Sequence, residues 1–329
     1  MYKHVWEMVS IVALTAFATL PAMAAGSAYR LLVTIDLPGD KGGHGDWVTF
    51  DPDTDTVWLA QSPDHNVVVI DARTNTVKGV ISGISNGNVV ALTPKYAFMD
   101  DADSDLVTVV DKRTLQRVKT FKPQGKVPDG MVFDAKANRM YITSDGSNDV
   151  TVVEASPPFG QVAHFTLRPA HAKDGPDVPL LVPTLDRIYQ PVDNVVDVID
   201  TKTNTVVAVW KPGIKADTRS MVYDGQTKHF FMGTTGKEML VLDGDGKTVA
   251  AIPLQGAADE TTIDEGARRA YVGDKAGVIE VVDLDKNVVV DTIPSEKNVH
   301  TLAVNTKTHD VYVYRNESNK VDVFSKLAP

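Results

Sequence analysis

Seven positions of the chain stand five residues before a recurring strand end, and most carry side chains that can bind or exchange charge. Asp46, Asn88, Asp129, Val178, Arg219, Asp259 and His300 precede Asp51, Thr93, Asp134, Pro183, Asp224, Asp264 and Asn305. Six of the seven are polar or ionisable, Asp177 adjoins the exception, and His44 and Glu260 lie beside the set. Imidazole and carboxylate ligate borderline metals such as zinc or copper, exchange protons near neutral pH, and recognise polar ligands. His44, His300 and Asp259 are therefore the candidate ligands of a divalent metal, the one cofactor these residues suggest. Arg219 is suited to pair with an anionic group on a ligand. Loop junctions wetted by solvent are polar without binding anything, so composition alone does not make this a site. His44, Asp46, Asp259 and His300 come from opposite ends of the sequence, and only a fold that closes on itself can gather them.

Other chemical patterns fail on their context. Gly83-Ile84-Ser85-Asn86-Gly87 matches a nucleophile elbow, but it follows a strand and leads into another strand, whereas the elbow needs a helix. Asp51 to Asp55 imitates a calcium loop, yet Thr56 stands where Gly is needed and Ser62 where Glu is needed. Asp101, Asp103 and Asp105 form a similar acidic turn. Gly246-Lys247-Thr248 ends like a phosphate loop, but Val241 occupies the place of its first Gly. His65, His164, His229 and His309 have no partner at ligand spacing and read as loop or strand-surface residues.

The elements that must position the polar set are short strands. In Asn194 to Trp210, Val196, Val198 and Ile199 carry one strand and Val206, Val207 and Val209 the next. Asp200 and Thr201 between them suit a turn whose N–H groups are satisfied by nearby side chains. The same unit recurs. Val69-Ile70-Asp71, Val109-Val110-Asp111, Val152-Val153-Glu154, Val198-Ile199-Asp200, Val241-Leu242-Asp243, Val281-Val282-Asp283 and Val323-Phe324-Ser325 align with steps of 40, 43, 46, 43, 40 and 42 residues. A period near 42 with four short strands per unit predicts an all-β, seven-bladed β-propeller of four-stranded antiparallel blades. In the first blade the strands are expected over Trp47–Phe50, Val57–Ala60, Val67–Ile70 and Val77–Ile81. The seventh unit stops after three strands, while Leu32 to Gly39 reads like the fourth strand of a blade with its following Pro-Gly. The N-terminal strand is thus expected to complete the last blade and remove its open edges. The longest step predicts an enlarged loop between blades three and four, around His171.

These units resemble the YVTN-type repeat of the YncE-like family of exported β-propellers. Tyr141-Ile142-Thr143-Ser144 and Tyr271-Val272-Gly273-Asp274 are variants of its naming motif, and Val198 to Val206 matches its third turn closely. Gly43-His44-Gly45-Asp46-Trp47 resembles the family's first blade. The resemblance covers nearly all of the chain after its leader and implies the fold. It leaves the activity open, since related propellers include lactonases, dehydrogenase subunits and plain binding scaffolds.

Residues 1–24 read as a signal peptide: Lys3 in a short head, an apolar run from Val9 to Leu20, then Pro21 and Ala22-Met23-Ala24. That run is too short for a comfortable span of ~20 residues. The expectation is an exported, periplasmic or secreted protein without a membrane anchor, with residues 25–329 forming one domain. The chain has no Cys, so burial and strand pairing must hold it together. A formal charge of −10 argues against nucleic acid as a partner. The function expected is that of a monomeric scaffold binding a small molecule or a protein through the polar rim of its channel. The alternatives are a lactonase-like hydrolase working through the rim carboxylates and histidines, and an accessory partner of a periplasmic redox enzyme.

Overall fold

A computed structural model of the protein describes residues 27–39, 45–168, 173 and 175–327. Residues 1–24, His44 and His171 therefore lie outside the described residues. Seven four-stranded antiparallel sheets follow one another, as the repeat requires. Blade one comprises Val48–Asp51, Thr56–Gln61, Asn66–Asp71 and Thr76–Ser82, close to the expected spans. The innermost strands of the other blades are Val90–Leu92, Pro128–Asp134, Leu180–Val182, Thr218–Asp224, Ala258–Asp264 and Leu302–Asn305. The N-terminal strand Tyr29–Asp36 pairs antiparallel with Lys320–Lys326 and becomes the outer strand of blade seven. No described helix is long and apolar enough to cross a membrane.

The core is distributed between the blades rather than gathered at one centre. Seven clusters of buried side chains fill the seven blade-to-blade interfaces, including Val57 and Leu59 against Tyr312 and Tyr314 where blade one meets blade seven. This explains the sequence pattern. The second and third strands are covered on both faces and read as continuous apolar runs, as in Thr56–Gln61, whose six residues are all buried. The outer strand has one wet face, so Thr76–Ser82 alternates.

The hydrophobic pair that sets the sequence register has a structural cause. The pairing of third and outer strands shifts at Val69/Ile70, Val109/Val110, Val152/Val153, Val198/Ile199, Val241/Leu242 and Val281/Val282. In blade seven the shift falls between Leu31 and Val33. A bulge recurring at one place adds twist to every blade. In the turn that follows, Asp200 accepts the N–H groups of Lys202 at 2.8 Å and Thr203 at 3.0 Å. Asn75, Asn204 and Asn287 take the left-handed conformation at φ 54–55° that Asn tolerates. Thr201 departs from the expectation: its carbonyl serves the neighbouring blade, accepting from the Tyr141 hydroxyl at 3.2 Å, while Asn204 Oδ1 accepts from it at 2.8 Å. Tyr312 makes the same contacts with Ala72 O and Asn75 Oδ1 across the closure. The Tyr of the repeat motif thus ties each of these blades to the next.

Among the described residues, three single 3₁₀ turns, Ser62–Asp64, Asp145–Ser147 and Pro183–Leu185, interrupt the all-strand reading. The loop from blade three to blade four runs from Leu167 to Pro179, though four of the residues around His171 and also Asp174 are outside the described set.

Candidate functional site

Five of the seven residues that stand five places before an innermost strand's end, Asp46, Asp129, Val178, Arg219 and Asp259, meet at one mouth of the channel. A cavity of about 210 Å³ lies there. Asp46, Asp129, Asp177, Arg219, Asp259 and Glu260 line it, and Trp47, Val178 and Lys275 complete the wall. Ring closure therefore brings together residues that are more than 200 positions apart in sequence.

Two expected members of the ring, Asn88 and His300, do not line this cavity. Asn88 is buried, and its backbone N–H donates to Asp100 Oδ1 at 3.0 Å. His300 is only 4% exposed, with Nδ1 2.8 Å from Asn298 O and 2.9 Å from Asn316 Nδ2. Its Nε2 lies 3.7 Å from Asp46 Oδ1, so it contacts the ring from behind. His44 is outside the described residues. Among the described residues, no group of three or more His, Asp or Glu is arranged to hold a metal ion.

The electrostatics of the mouth are strained towards negative charge. Burial, then repulsion from Asp46, Asp100, Asp177 and Asp145, raises the Asp129 carboxyl well above the usual carboxylate range. None of those neighbours is a cation. Burial, with repulsion from Asp259 partly offset by Arg219, pushes Asp177 up to about 7. Burial raises Glu260 well above its ordinary value, although it accepts the Thr301 hydroxyl and the Leu302 N–H, the latter at 2.8 Å. Arg219 Nη1 is 3.3 Å from Asp177 Oδ2, and Lys275 Nζ is 2.9 Å from Asp259 Oδ2. The guanidinium expected to meet a ligand anion thus answers the protein's own carboxylate.

Three contributors escaped the sequence reading. Lys275 comes from the turn between the second and third strands of blade six, where its N–H donates to Ala257 O at 3.0 Å. Asp100 is the last but one residue of the second strand of blade two, Tyr96–Asp101, and is fully buried. One of its oxygens accepts from Asn88 and from Val89 at 2.7 Å, the other has no partner, and burial pushes the carboxyl up to about 8. Trp47 adjoins Asp46, and an aromatic one residue from a candidate acid was the available signal.

No family model matches the chain. It is 28% identical to the protein named uncharacterized protein YncE from Salmonella typhi and from Salmonella typhimurium, over 149 residues. That match spans 40% of this chain and 42% of the Salmonella proteins, less than half their length. YncE of Escherichia coli O157:H7 is 26% identical over 117 residues, 32% of this chain and 33% of that protein. Among solved structures, hydrazine synthase of Kuenenia stuttgartiensis superposes with a TM-score of 0.76 at 19% identity, covering 93% of this chain and 98% of that one, a likeness of fold alone. The chain is a YncE-like seven-bladed β-propeller, distantly homologous to the Salmonella and Escherichia proteins.

Proposed function

We propose that this YncE-like propeller is an exported binding protein that takes a small cationic solute at the mouth of its channel. The charge balance of the mouth carries the reading: Asp46, Asp129, Asp177, Asp259 and Glu260 line it against only Arg219 and Lys275. Burial, together with repulsion between carboxyls crowded in one cleft, raises Asp129 and Asp177 above the usual carboxylate range. A cation entering the cleft removes that repulsion and lets them ionise. The field of a cleft lined by one sign of charge also concentrates counter-ions at its entrance, and the net charge of −10 acts in the same sense. Export rests on the reading of residues 1–24.

The test is calorimetric titration of the purified protein with butylammonium chloride at pH 8, for the wild type and for an Asp129→Asn/Asp177→Asn variant. Saturable binding that weakens at least tenfold in the variant supports the proposal. Absence of binding to the wild type, or equal binding to both, overturns it.

A further inference from the structure

The acidic mouth is the entrance to a longer space, and the character of that space changes with depth. Beneath the mouth lie two cavities of about 480 and 290 Å³ between the innermost strands, one on the side of blades two and three, the other on the side of blades six and seven. Trp47 lines the mouth and both deeper cavities, and Phe50 is shared by the deeper two. Below Trp47 the wall is mainly apolar, with Val90, Leu92 and Phe133 on one side and Ile263 and Val304 on the other, although Asp51, Asp53 and Lys112 also line the first cavity.

The channel aromatics differ in exposure from the aromatics buried deepest between blades. Trp58, Phe98 and Phe230, packed between blades, have no exposed surface, whereas Trp47, Phe50 and Phe133 are only partly buried. Partly exposed aromatic surface lining a cavity is surface that an apolar ligand can bury favourably. The face of a Trp also attracts an organic cation within about 6 Å of its ring. The mouth is already furnished with two cations, Arg219 and Lys275, which disfavours a ligand bearing a second charge at short spacing. Asp100 adds a fully buried carboxyl with one unpartnered oxygen, close enough to Asp46 for repulsion between the two and close enough to Asp129 to raise its proton affinity.

We infer that the cationic solute is a monoamine with an apolar body, its ammonium group held among the mouth carboxylates and its body lying past Trp47 in the aromatic-lined channel. The inference rests on the mouth being a cation site and adds what the rest of the ligand must be. It places ligand selection in Trp47, Phe50 and Phe133, and attraction in Asp46, Asp129 and Asp177.

A calorimetric series at pH 8 separates the two layers. Methylammonium, butylammonium and hexylammonium chlorides are titrated alongside uncharged hexanol and the diammonium ion of 1,4-diaminobutane. The expected result is an affinity that rises at least tenfold from methylammonium to hexylammonium, with hexanol and the diamine both weaker than hexylammonium. Tryptophan emission supplies a second readout, because Trp58 and Trp210 are buried while Trp47 faces the channel. Hexylammonium should shift the emission of the wild type, and the shift should be lost in a Trp47→Phe variant that still binds. Equal affinity for all three alkylammonium ions overturns this inference and leaves the mouth reading standing. Failure of every ammonium ion overturns both. Hexanol binding as tightly as hexylammonium overturns the role of the carboxylates.

Discussion

The two faces of the ring use the same residue, aspartate, in opposite ways. On the face away from the channel mouth every strand-end acid described here meets a donor of the protein itself. Asp51 is 2.8 Å from Lys112 Nζ, Asp224 takes a two-pronged contact from Arg268 at 2.6 and 2.8 Å, and Asp264 lies 2.5 Å from His309 Nδ1. Asp186 is shared by Lys136 at 2.5 Å and Lys202 at 2.6 Å. Hydrogen bonds from Lys136 and Lys202 hold Asp186 at about 2, and those from Arg73 hold Asp71, on the same face, at about 2. At the mouth the shifts run the other way, with Asp177 at about 7, Asp100 at about 8, and Asp129 and Glu260 raised. An acid whose partner is built into the next blade belongs to the scaffold. The mouth acids also have partners, Arg219, Lys275, Thr301 and Leu302, but repulsion between neighbouring carboxyls adds to burial in raising Asp129 and Asp177.

Both faces depend on the closed ring, so removing the described N-terminal segment through Gly39 is expected to have the largest effect. It exposes the edge of Lys320–Lys326, and thermal unfolding with size-exclusion chromatography should show aggregation or a large fall in Tm. A truncated protein that stays monomeric and equally stable would remove the basis for a gathered site.

The next effect separates the faces. Lys112→Met strands Asp51, only 1% exposed, without its cation and should cost roughly 3–5 kcal/mol in denaturant unfolding. Lys112→Met/Asp51→Asn should recover most of that loss. Asp129→Asn at the mouth should do the reverse and raise Tm at pH 8 by about 2–4 °C, because it removes repulsion rather than a partner. A destabilised Asp129→Asn would break the contrast.

The pH dependence has a definite sign. Asp177 and Asp100 have folded pKa values of about 7 and about 8, above the ~3.9 of an unfolded Asp. Between those values the folded chain holds protons that the unfolded chain has lost, so the stability from these groups is fully present below about pH 4 and declines from there. It is lost as pH rises through 7 and 8. Asp71 and Asp186, with lowered values, contribute above pH 4 and lose their contribution as pH falls towards 2. Denaturant midpoints at pH 5 and pH 8 should therefore differ in favour of pH 5 for the wild type, and by less for Asp129→Asn/Asp177→Asn. The smallest effect is in a scaffold turn: Asp200→Ala should cost about 1 kcal/mol through its bonds to Lys202 and Thr203 and leave ligand affinity unchanged.

The fold was legible because the blade is a rigid unit whose length the backbone sets. The hydrophobic pair at the recurring bulge kept the register, and Leu32 to Gly39 supplied the missing outer strand. The ring position was legible for the same reason: five residues before a strand end is a fixed distance along an extended chain. What register could not give was side-chain direction. His300 occupies a ring position but its imidazole turns to Asn316, while Asn88 is buried and its backbone N–H is held by Asp100. Lys275 arrives from a turn with a different offset, and Asp100 acts from the second strand. Trp47 was placed on the first strand correctly to within one residue, but its role depends on the channel that all seven blades form together. His309 and His164 looked partnerless in sequence because their carboxylates, Asp264 and Asp149, come from the preceding blade and from the neighbouring strand.

The central claim is that the mouth is an acid cluster completed by a ligand cation, and proton linkage tests it most directly. Hexylammonium chloride is titrated into the wild-type protein at pH 7.5 in two buffers of different ionisation enthalpy. Saturable binding with net release of protons is predicted, because an ammonium ion among Asp129, Asp177 and Asp46 favours their ionised forms. No saturable binding, or binding with proton uptake, would contradict it.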